Sequence, residues 1–449
     1  MNAIKRTFAL LVIILGFSCS NDDSSSDPPS AVSFLGEVDW MKTYGGSGDD
    51  TAQSVTSTSD GGYAILGYSN SADGDLIGKT TTVNDYWLLK LDTDGNLQWS
   101  KTYGGSKDDR GQSVIQTIDG GYAIVGYAMS DDGDGSNNEG FHDNWILRLD
   151  ANGAILWEKS FGFSGHDHSY DVVQTADGGF FFSGFLDVTS SGGEGNTGKG
   201  NYLTQHGVGE FWGTKLDANG ELVWRRYFGG TNNDRSYGVV EANDGSLVLT
   251  GASESDDFDI SNAKGSYDFW VVKVSPKGEL VWERSFGGTG IDKAFDITKT
   301  EDGAYVIVGN TFSVDIDISK NNGESDVWLI KVDDQGNLVW EKTYGGTAFD
   351  AAQSVKTTLD GGFVIAGNSK SVDGNLTQNL GENDLWVIKT DASGNLEYQQ
   401  NFGGSGLDFG FDVVESIDGS LLLVGETAST DIANIPSIGM IDLMLIKIK

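Results

Sequence analysis

The chain has 449 residues, with 66 acidic and 29 basic side chains, a formal net charge of −37 and a single cysteine. A surface this acidic has the wrong sign for holding phosphate backbones, so we expect no nucleic-acid partner. One cysteine excludes a disulfide framework and any metal site built from cysteines. With 38% hydrophobic and 11% aromatic residues, the chain has enough apolar material for a core, which excludes global disorder.

The N-terminal residues are typical of an export signal. Lys5 and Arg6 precede an apolar run, residues 8–17, which ends at Ser18 and Cys19. A basic start, about 10 apolar residues and a small residue before the cut describe a secretory signal. The run is shorter than the ~20 residues of a membrane-spanning helix. Residues 1–18 are therefore predicted to be a cleaved signal peptide.

The sequence LGFSC, residues 15–19, resembles a lipobox, and the following SNDD, residues 20–23, resembles the acidic surface-export tag of Bacteroidetes-type outer-membrane lipoproteins. The resemblance implies lipidation of Cys19 and a lipid-anchored protein of the outer membrane, exposed at the cell surface. The lipid anchor is then the only contact with the membrane. A simple cleaved signal with an incidental cysteine is the alternative. Residues 19–33 are rich in Ser, Asp and Pro and are predicted to be a flexible tether.

The rest of the chain is built from seven repeats. The sequence WMKTYGG at Trp40 recurs with spacings of 59, 58, 67, 58, 58 and 58 residues, and the single long spacing marks one insertion. Within each repeat, Asp-Gly-type turns separate four short runs of alternating apolar and polar residues, which indicates antiparallel strands. In the first repeat the predicted strands are Ala52–Thr58, Tyr63–Tyr68, Tyr86–Leu91 and Leu97–Tyr103. Residues 34–449 are thus predicted to be an all-β, seven-bladed β-propeller without helices.

The two ends of this region predict how the ring closes. The last repeat contributes only three predicted strands, Phe411–Val414, Leu421–Gly425 and Leu443–Ile448. The strand Val38–Tyr44 precedes the first complete set of four. We expect this N-terminal strand to complete the last blade, which would remove the exposed sheet edges of an open ring.

Several repeated passages resemble the bacterial seven-bladed β-propeller repeat family. They are Phe228-Gly229-Gly230, the Ser-x-Asp-x-Asp loops and the passage from Lys331 to Trp340. The resemblance covers nearly all of the chain after the tether. It implies the fold and says little about function, because one fold hosts many functions.

Two residue types recur in nearly every repeat and indicate structural roles. The 12 tryptophans occupy only two repeat positions, on the third and last strands, which favours packing between blades over sugar-stacking platforms. In every repeat an aspartate follows the last aromatic residue of the repeated sequence, Tyr44 in the first repeat, by six residues. We interpret these aspartates as groups that fix loop geometry; a cation-binding ring at the channel mouth is the alternative. They are Asp50, Asp109, Asp167, Asp234, Asp292, Asp350 and Asp408.

The face of the ring that carries the long loops is the candidate binding face, because long loops on a rigid scaffold carry function more often than tight turns. Most of these loops open with Ser-x-Asp followed by a second Asp or Asn two residues later. Such oxygen ligands suit calcium, and turns that launch the loop are the alternative. The predicted calcium ligands are Asp73, Asp75, Asp132, Asp134, Asp257, Asp259, Asp315 and Asp317.

Four consecutive repeats place a basic or potentially basic residue directly after the repeated aspartate: Arg110, His168, Arg235 and Lys293. These side chains are expected to converge at the channel mouth. A cluster of this kind can hold a carboxylate or sulfate of a polyanionic ligand. Pairing with neighbouring aspartates, which contributes little at an exposed surface, is the alternative.

All four histidines lie in one sector of the chain, in repeats two and three. His142 ends a long loop, His166 and His168 lie in the next repeat, and His206 lies in the insertion, roughly Leu186–Gly209. Histidines that meet on one face can bind a transition metal or act as an acid–base pair. They are predicted ligand-binding residues.

Together these features predict a monomeric, lipid-anchored surface protein that binds an extracellular glycan or protein through its loop face, or serves as a scaffold. The alternative is a polysaccharide lyase or hydrolase that uses the histidine sector. Sequence motifs for a nucleophile elbow, a phosphate loop or a zinc-protease helix do not occur. The glycine spacing of a dinucleotide fingerprint occurs once, at residues 193–198, but it lies in the Gly-rich insertion of a chain predicted to have no helices. The near-identity of the repeats favours binding over catalysis, and calcium is the only cofactor expected.

Overall fold

The computed structural model describes residues 34–200 and 205–449, and the structure of these residues consists of 28 β-strands with no helix among them. The predicted signal peptide, Cys19 and the tether lie outside the described residues. No described segment is a helix long and apolar enough to span a membrane. The 28 strands form seven separate four-stranded antiparallel sheets, the blades of a propeller, which confirms the predicted fold class.

The first three blades are each made of four consecutive strands. Blade 1 contains β2 (Asp50–Ser57), β3 (Tyr63–Ser69), β4 (Asp85–Leu91) and β5 (Leu97–Tyr103). Blade 2 contains β6 (Asp109–Gln116), β7 (Tyr122–Ala128), β8 (Asp143–Leu149) and β9 (Ile155–Phe161). Blade 3 contains β10 (His168–Gln174), β11 (Phe180–Leu186), β12 (Glu210–Leu216) and β13 (Leu222–Phe228).

The next three blades follow the same order. Blade 4 contains β14 (Asp234–Glu241), β15 (Leu247–Ser253), β16 (Asp268–Val274) and β17 (Leu280–Phe286). Blade 5 contains β18 (Asp292–Lys299), β19 (Tyr305–Thr311), β20 (Asp326–Val332) and β21 (Leu338–Tyr344). Blade 6 contains β22 (Asp350–Thr357), β23 (Phe363–Ser369), β24 (Asp384–Thr390) and β25 (Leu396–Phe402).

Blade 7 joins the two ends of the described chain. It contains β26 (Asp408–Glu415), β27 (Leu421–Thr427), β28 (Asp442–Ile448) and, as its outermost strand, β1 (Val38–Tyr44). Strand β1 pairs antiparallel with β28, with Tyr44 opposite Leu443, and the innermost strands β26 and β2 contact each other. The predicted closure is therefore confirmed. All 28 described strands lie within residues 34–449, and together they close the ring.

The core lies between neighbouring blades, as the tryptophan pattern predicts. The third-strand tryptophans are fully buried, and Trp145 and Trp328 meet rings of the preceding blade, Tyr86 at 4.9 Å and Phe269 at 4.6 Å between centroids. The last-strand tryptophans cover a turn of the following blade. A Cβ on Gly95, which has a positive φ of 71°, would lie 2.5 Å from the ring of Trp40.

Each innermost strand carries a β-bulge at the same position, shown by a register shift such as that between Ala52 and Ser54. Bulges re-aim the side chains that follow them. Here they turn the residues that follow them toward the central channel, which holds a cavity of about 270 Å³ lined by the first strands of all seven blades. Six of the seven blades direct a side chain inward in this way, and the remaining blade has a glycine. The residues directly after the bulges are Ser54, Ser113, Asp171, Gly238, Asp296, Ser354 and Asp412.

Candidate functional site

The repeated aspartates fix the loops that precede the innermost strands, which we call the leading loops. In blade 1, Oδ2 of Asp50 accepts the N–H of Gly46 at 2.8 Å and the hydroxyl of Ser71 at 2.9 Å. The hydroxyl of Ser69 donates to Oδ1 of the same carboxylate. All seven repeated aspartates are fully buried. Their structural interpretation is thus supported, since the loops on which the site is built have the same frame in each blade.

The Ser-x-Asp-x-Asp carboxylates tie each long loop to the leading loop of its own blade. Asp73 accepts the N–H of Ser47 at 2.7 Å, and Asp75 accepts the N–H of Gly45 at 3.0 Å. The other predicted calcium ligands make equivalent bonds to leading-loop N–H groups at 2.8–3.2 Å: Asp132, Asp134, Asp257, Asp259, Asp315 and Asp317. These bonds give the motif a structural role, and calcium binding there stays a prediction.

The four basic side chains that follow the repeated aspartates form an ordered arc on the loop-face side of the channel. Each lies on an aromatic ring supplied by the preceding blade. Arg110 lies over Tyr68 at 5.1 Å, His168 stacks on Tyr127 at 3.8 Å, Arg235 lies over Phe185 at 4.4 Å and Lys293 lies over Tyr267 at 4.3 Å. We call these four residues the basic arc. The equivalent residues of the other three blades are Thr51, Ala351 and Phe409.

The members of the basic arc differ in their charge partners. Arg110 donates from Nε to Asp108 at 2.9 Å, so the predicted alternative of local pairing holds for this residue. Burial would raise the pKa of Asp108, but hydrogen bonds from His142 and Asn84, together with Arg110, outweigh it and lower the pKa to about 2. Within the described residues, neither Arg235 nor Lys293 forms an ion pair. The charges of these two side chains are therefore not neutralised by a carboxylate of the described residues.

Three of the four histidines meet beside this arc. Nδ1 of His142 lies 3.0 Å from Nδ1 of His166. Each of the three histidines, His168 included, contributes one ring nitrogen to a group whose members all lie within 4.8 Å of one another. The backbone fixes this meeting, because His142 and His166 form a parallel bridge between blades 2 and 3. The N–H of Asp167 also donates to the carbonyl of His142 at 2.7 Å.

His168 is the most enclosed of the three histidines. Burial lowers its pKa to about 2, and the neighbouring His142, His166, Arg235 and Arg110 add to this effect. Among the described residues, its Nε2 is buried without a hydrogen-bond partner, whereas Nε2 of His142 faces Oδ2 of Asp108 at 3.7 Å. The three imidazoles are the residues of this site that can hold a metal, since nitrogen ligands suit transition metals.

His206 does not join this cluster. Its Nδ1 lies 3.1 Å from Oε2 of Glu210, and its ring packs against Tyr227. It lines a different cavity, of about 340 Å³, together with Phe258 and Arg226. The insertion of repeat three thus separates His206 from the other histidines. The histidines predicted as one group therefore lie in two places, the three-histidine cluster and the cavity lined by His206.

The side of the mouth opposite the basic arc is an apolar hollow that the sequence analysis did not predict. Its cavity of about 340 Å³ is lined by Phe349, Phe409 and Phe411 of blades 6 and 7 and by Glu426. Burial, with the nearby Asp49, raises the pKa of Glu426 to about 7. An aromatic residue after the repeated aspartate, Phe409, is the only sequence signal that points to this hollow.

The channel below the mouth contains a polar belt that was also missed. Lys356 Nζ lies 2.7 Å from Oδ2 of Asp296 and 3.7 Å from Oδ1 of Asp412. Asp171 completes the acidic part of the belt and accepts bonds from Ser113 and from the N–H of Val239, both at 2.9 Å. The bulges place these groups, and no repeated motif marks them.

Comparisons with known proteins bear on the fold only. No protein-family model matches the chain. A chain of the mitotic checkpoint complex is 8% identical, with a TM-score of 0.51, and the match covers 98% of this chain and 99% of that one. A Bacteroides caccae protein of unknown function is 12% identical, with a TM-score of 0.41, over 75% of this chain and 93% of that one.

One curated protein shares sequence with part of the chain. The "Regulatory protein FlaEY" of Caulobacter vibrioides is 25% identical over 242 residues, which are 50% of this chain and 25% of that protein. The match therefore covers about a quarter of the length of that relative.

Proposed function

We propose that this chain is a lipid-anchored binding protein of the bacterial surface, whose channel mouth holds an anionic segment of an extracellular polymer or protein. The observation that carries the proposal is the basic arc. In a chain with a net charge of −37, three of four consecutive blades present a cationic side chain at the mouth, Arg110, Arg235 and Lys293, while the enclosed His168 among them is neutral.

The arrangement of these side chains suits anion binding. A guanidinium that lies on an aromatic ring keeps its N–H donors along its edge, where they can bind a carboxylate or sulfate in bidentate fashion. Arg235 lies on Phe185 and Lys293 on Tyr267 without an ion pair among the described residues. Their charges are oriented by the rings and are not neutralised by a carboxylate of the protein.

The hollow on the other side of the mouth extends the proposed site. Phe349, Phe409 and Phe411 offer apolar surface for a sugar ring or an aliphatic group. A ligand that carries an anionic group on one side and an apolar face on the other would contact both halves. The surface anchor rests on the lipobox-like sequence that ends at Cys19 and on the acidic residues that follow it.

The proposal is tested with the 34–449 segment and a polyuronate, with a neutral dextran of matched length as the reference ligand. We expect saturable binding of the polyuronate that weakens with salt and falls by more than about tenfold in the Arg235→Ala/Lys293→Ala double variant, because charge-assisted hydrogen bonds contribute about 1.5–3 kcal/mol each. Arg284→Ala, on the outermost strand β17, is the control. Equal binding of dextran, or no loss in the double variant, would contradict the proposal.

The enzymatic alternative rests on the histidine cluster, because imidazoles can serve as acid and base. It is separated from binding in the same experiment by following chain length and new reducing or unsaturated ends in the polyuronate. Cleavage that is lost in His166→Gln would favour a lyase or hydrolase. Binding without cleavage would favour the binding protein.

A further inference from the structure

We propose that His142, His166 and His168 form a binding site for a divalent transition metal ion of the zinc type, with open coordination positions at the channel mouth. Among the described residues, these three side chains are the group of at least three metal-capable residues whose donor atoms all lie within 4.8 Å of one another. The inference is independent of the polymer-binding proposal, because the metal is tested alone.

The distances between the nitrogens are those of a site that is nearly formed. Ligands at ~2.0–2.1 Å around a tetrahedral zinc lie about 3.3 Å from each other. The Nδ1 atoms of His142 and His166 are 3.0 Å apart, and the third nitrogen lies within 4.8 Å. We expect side-chain rotations to bring all three nitrogens to one ion.

A buried ring nitrogen of the cluster lacks a hydrogen-bond partner among the described residues, and a bound metal ion would give it a partner. Nε2 of His168 is buried and has no hydrogen-bond partner in the described part of the chain, while its Nδ1 lies 3.3 Å from the hydroxyl of Tyr170. Buried polar atoms are rarely left without a partner. With the ion on Nε2 of His168 and on the two facing Nδ1 atoms, each of these nitrogens would gain a ligand bond.

The surroundings orient the ligands as metal sites do. Metal-bound histidines commonly direct the second ring nitrogen at a carboxylate. Nε2 of His142 lies 3.7 Å from Oδ2 of Asp108, and Arg110 and Asn84 hold this carboxylate in place. The ring of His166 stacks on Phe141 at 5.0 Å between centroids. Two of the three ligands, His142 and His166, thus have neighbours that orient their rings before any ion binds.

The histidines are also specific to one junction between blades. The same parallel bridge between a long loop and the next leading loop recurs at four other junctions, without histidine: Asp49–Ile441, Tyr267–Ile291, Ser325–Phe349 and Asn383–Leu407. The fold therefore does not require histidine at the bridge. Imidazole nitrogens select zinc, copper or nickel over calcium, which prefers oxygen ligands.

Three protein ligands leave at least one position open on a tetrahedral ion, which is the arrangement of zinc sites that bind a further ligand. The ring of His166 is exposed, so an ion and its fourth ligand can enter from the loop face. The basic arc beside the cluster favours an anionic fourth ligand.

The test measures zinc binding by the EDTA-treated 34–449 segment, with dialysis followed by metal analysis. Excess Mg²⁺ is present to occupy the surface carboxylates. This segment lacks Cys19 and thus has no competing thiol. We expect one tightly bound Zn²⁺ per chain. The affinity should fall by more than about 100-fold in His166→Gln, since loss of an outer hydrogen-bond partner alone costs ~10–100-fold.

His206→Gln is the matched control and should bind zinc like the unsubstituted segment. Asp108→Asn should weaken binding by about tenfold and keep the visible absorption of a bound Co²⁺ ion, as expected of a residue that positions His142. His166 is exposed, so its variant is expected to fold, and melting temperatures verify this. The absence of a saturable site, equal zinc affinity in His166→Gln, or an equal loss in His206→Gln would overturn the proposal.

Discussion

Replacing Lys356 by methionine tests whether the charged belt in the channel holds the innermost strands together. Nζ of Lys356 lies 2.7 Å from Asp296 of blade 5 and 3.7 Å from Asp412 of blade 7. Burial alone would lower the pKa of Lys356, but Asp296 and Asp412 outweigh it and raise the pKa. The lysine is therefore charged in neutral solution and links three blades.

The expected loss of stability follows from these contacts. Removing one partner of a buried ion pair costs about 3–5 kcal/mol, because the other charge stays buried without compensation. About a third of the Lys356 side chain, 36%, is open to the channel, and water there screens the pair. We therefore expect Lys356→Met to lower the free energy of unfolding by about 2 kcal/mol.

The assay is urea unfolding of the 34–449 segment in a double-mutant cycle of Lys356→Met and Asp296→Asn. Because the double variant contains neither charge, we expect it to be more stable than the sum of the single losses, with a coupling energy of about 1–2 kcal/mol. Lys277→Met, at an exposed lysine without an ion pair among the described residues, is the control. Strict additivity, or equal losses in Lys356→Met and the control, would refute the reasoning.

Three other variants test separate parts of the molecule. Burial raises the pKa of Asp171 to about 7, so its ionisation destabilises the fold as pH rises from about 4 to about 7. Asp171→Asn should therefore raise the melting temperature more at pH 8 than at pH 5. A larger rise at pH 5 would contradict this prediction. Asp73→Ala removes the bond to Ser47 and should lower the free energy of unfolding by about 1 kcal/mol. If this loop also binds calcium, the melting temperature of the unsubstituted segment should be higher in calcium than in EDTA, and this difference should be smaller in the variant. Cys19→Ala should leave the membrane fraction, and unchanged fractionation would count against the lipoprotein prediction.

The sequence predicts the strands of this fold closely because alternation and turn residues are repeated seven times. The predicted strand Leu97–Tyr103 is the observed β5 without change. The innermost strand is predicted two residues late, at Ala52. It begins at Asp50, which pairs with Ser69 of β3, and the N–H of Asp50 also donates to the carbonyl of Ile441 in the neighbouring blade at 2.9 Å. A bond between blades of this kind leaves no trace in a local pattern.

The site was predictable in part. The histidine sector and the basic residues follow from repeat alignment, because equivalent positions in equivalent blades lie on one ring. The separation of His206 from the cluster does not follow, since the insertion has no counterpart in the other repeats. The belt of Asp171, Asp296 and Asp412 depends on the bulges. A bulge shifts the side-chain alternation by one residue, so a strict period of two assigns these aspartates to the wrong face.

Comparison of the seven blades shows whether the fold requires a particular residue after the repeated aspartate. The residue after the repeated aspartate is Thr51, Ala351 or Phe409 in three blades, and each of these sits on the same backbone frame as the basic arc. The frame therefore accepts polar, small and aromatic side chains at this position without a change in strand pairing. Arg235 and Lys293 are therefore not required for the ring to close, so variants that remove their charges test the proposed anion site without altering the strand pairing.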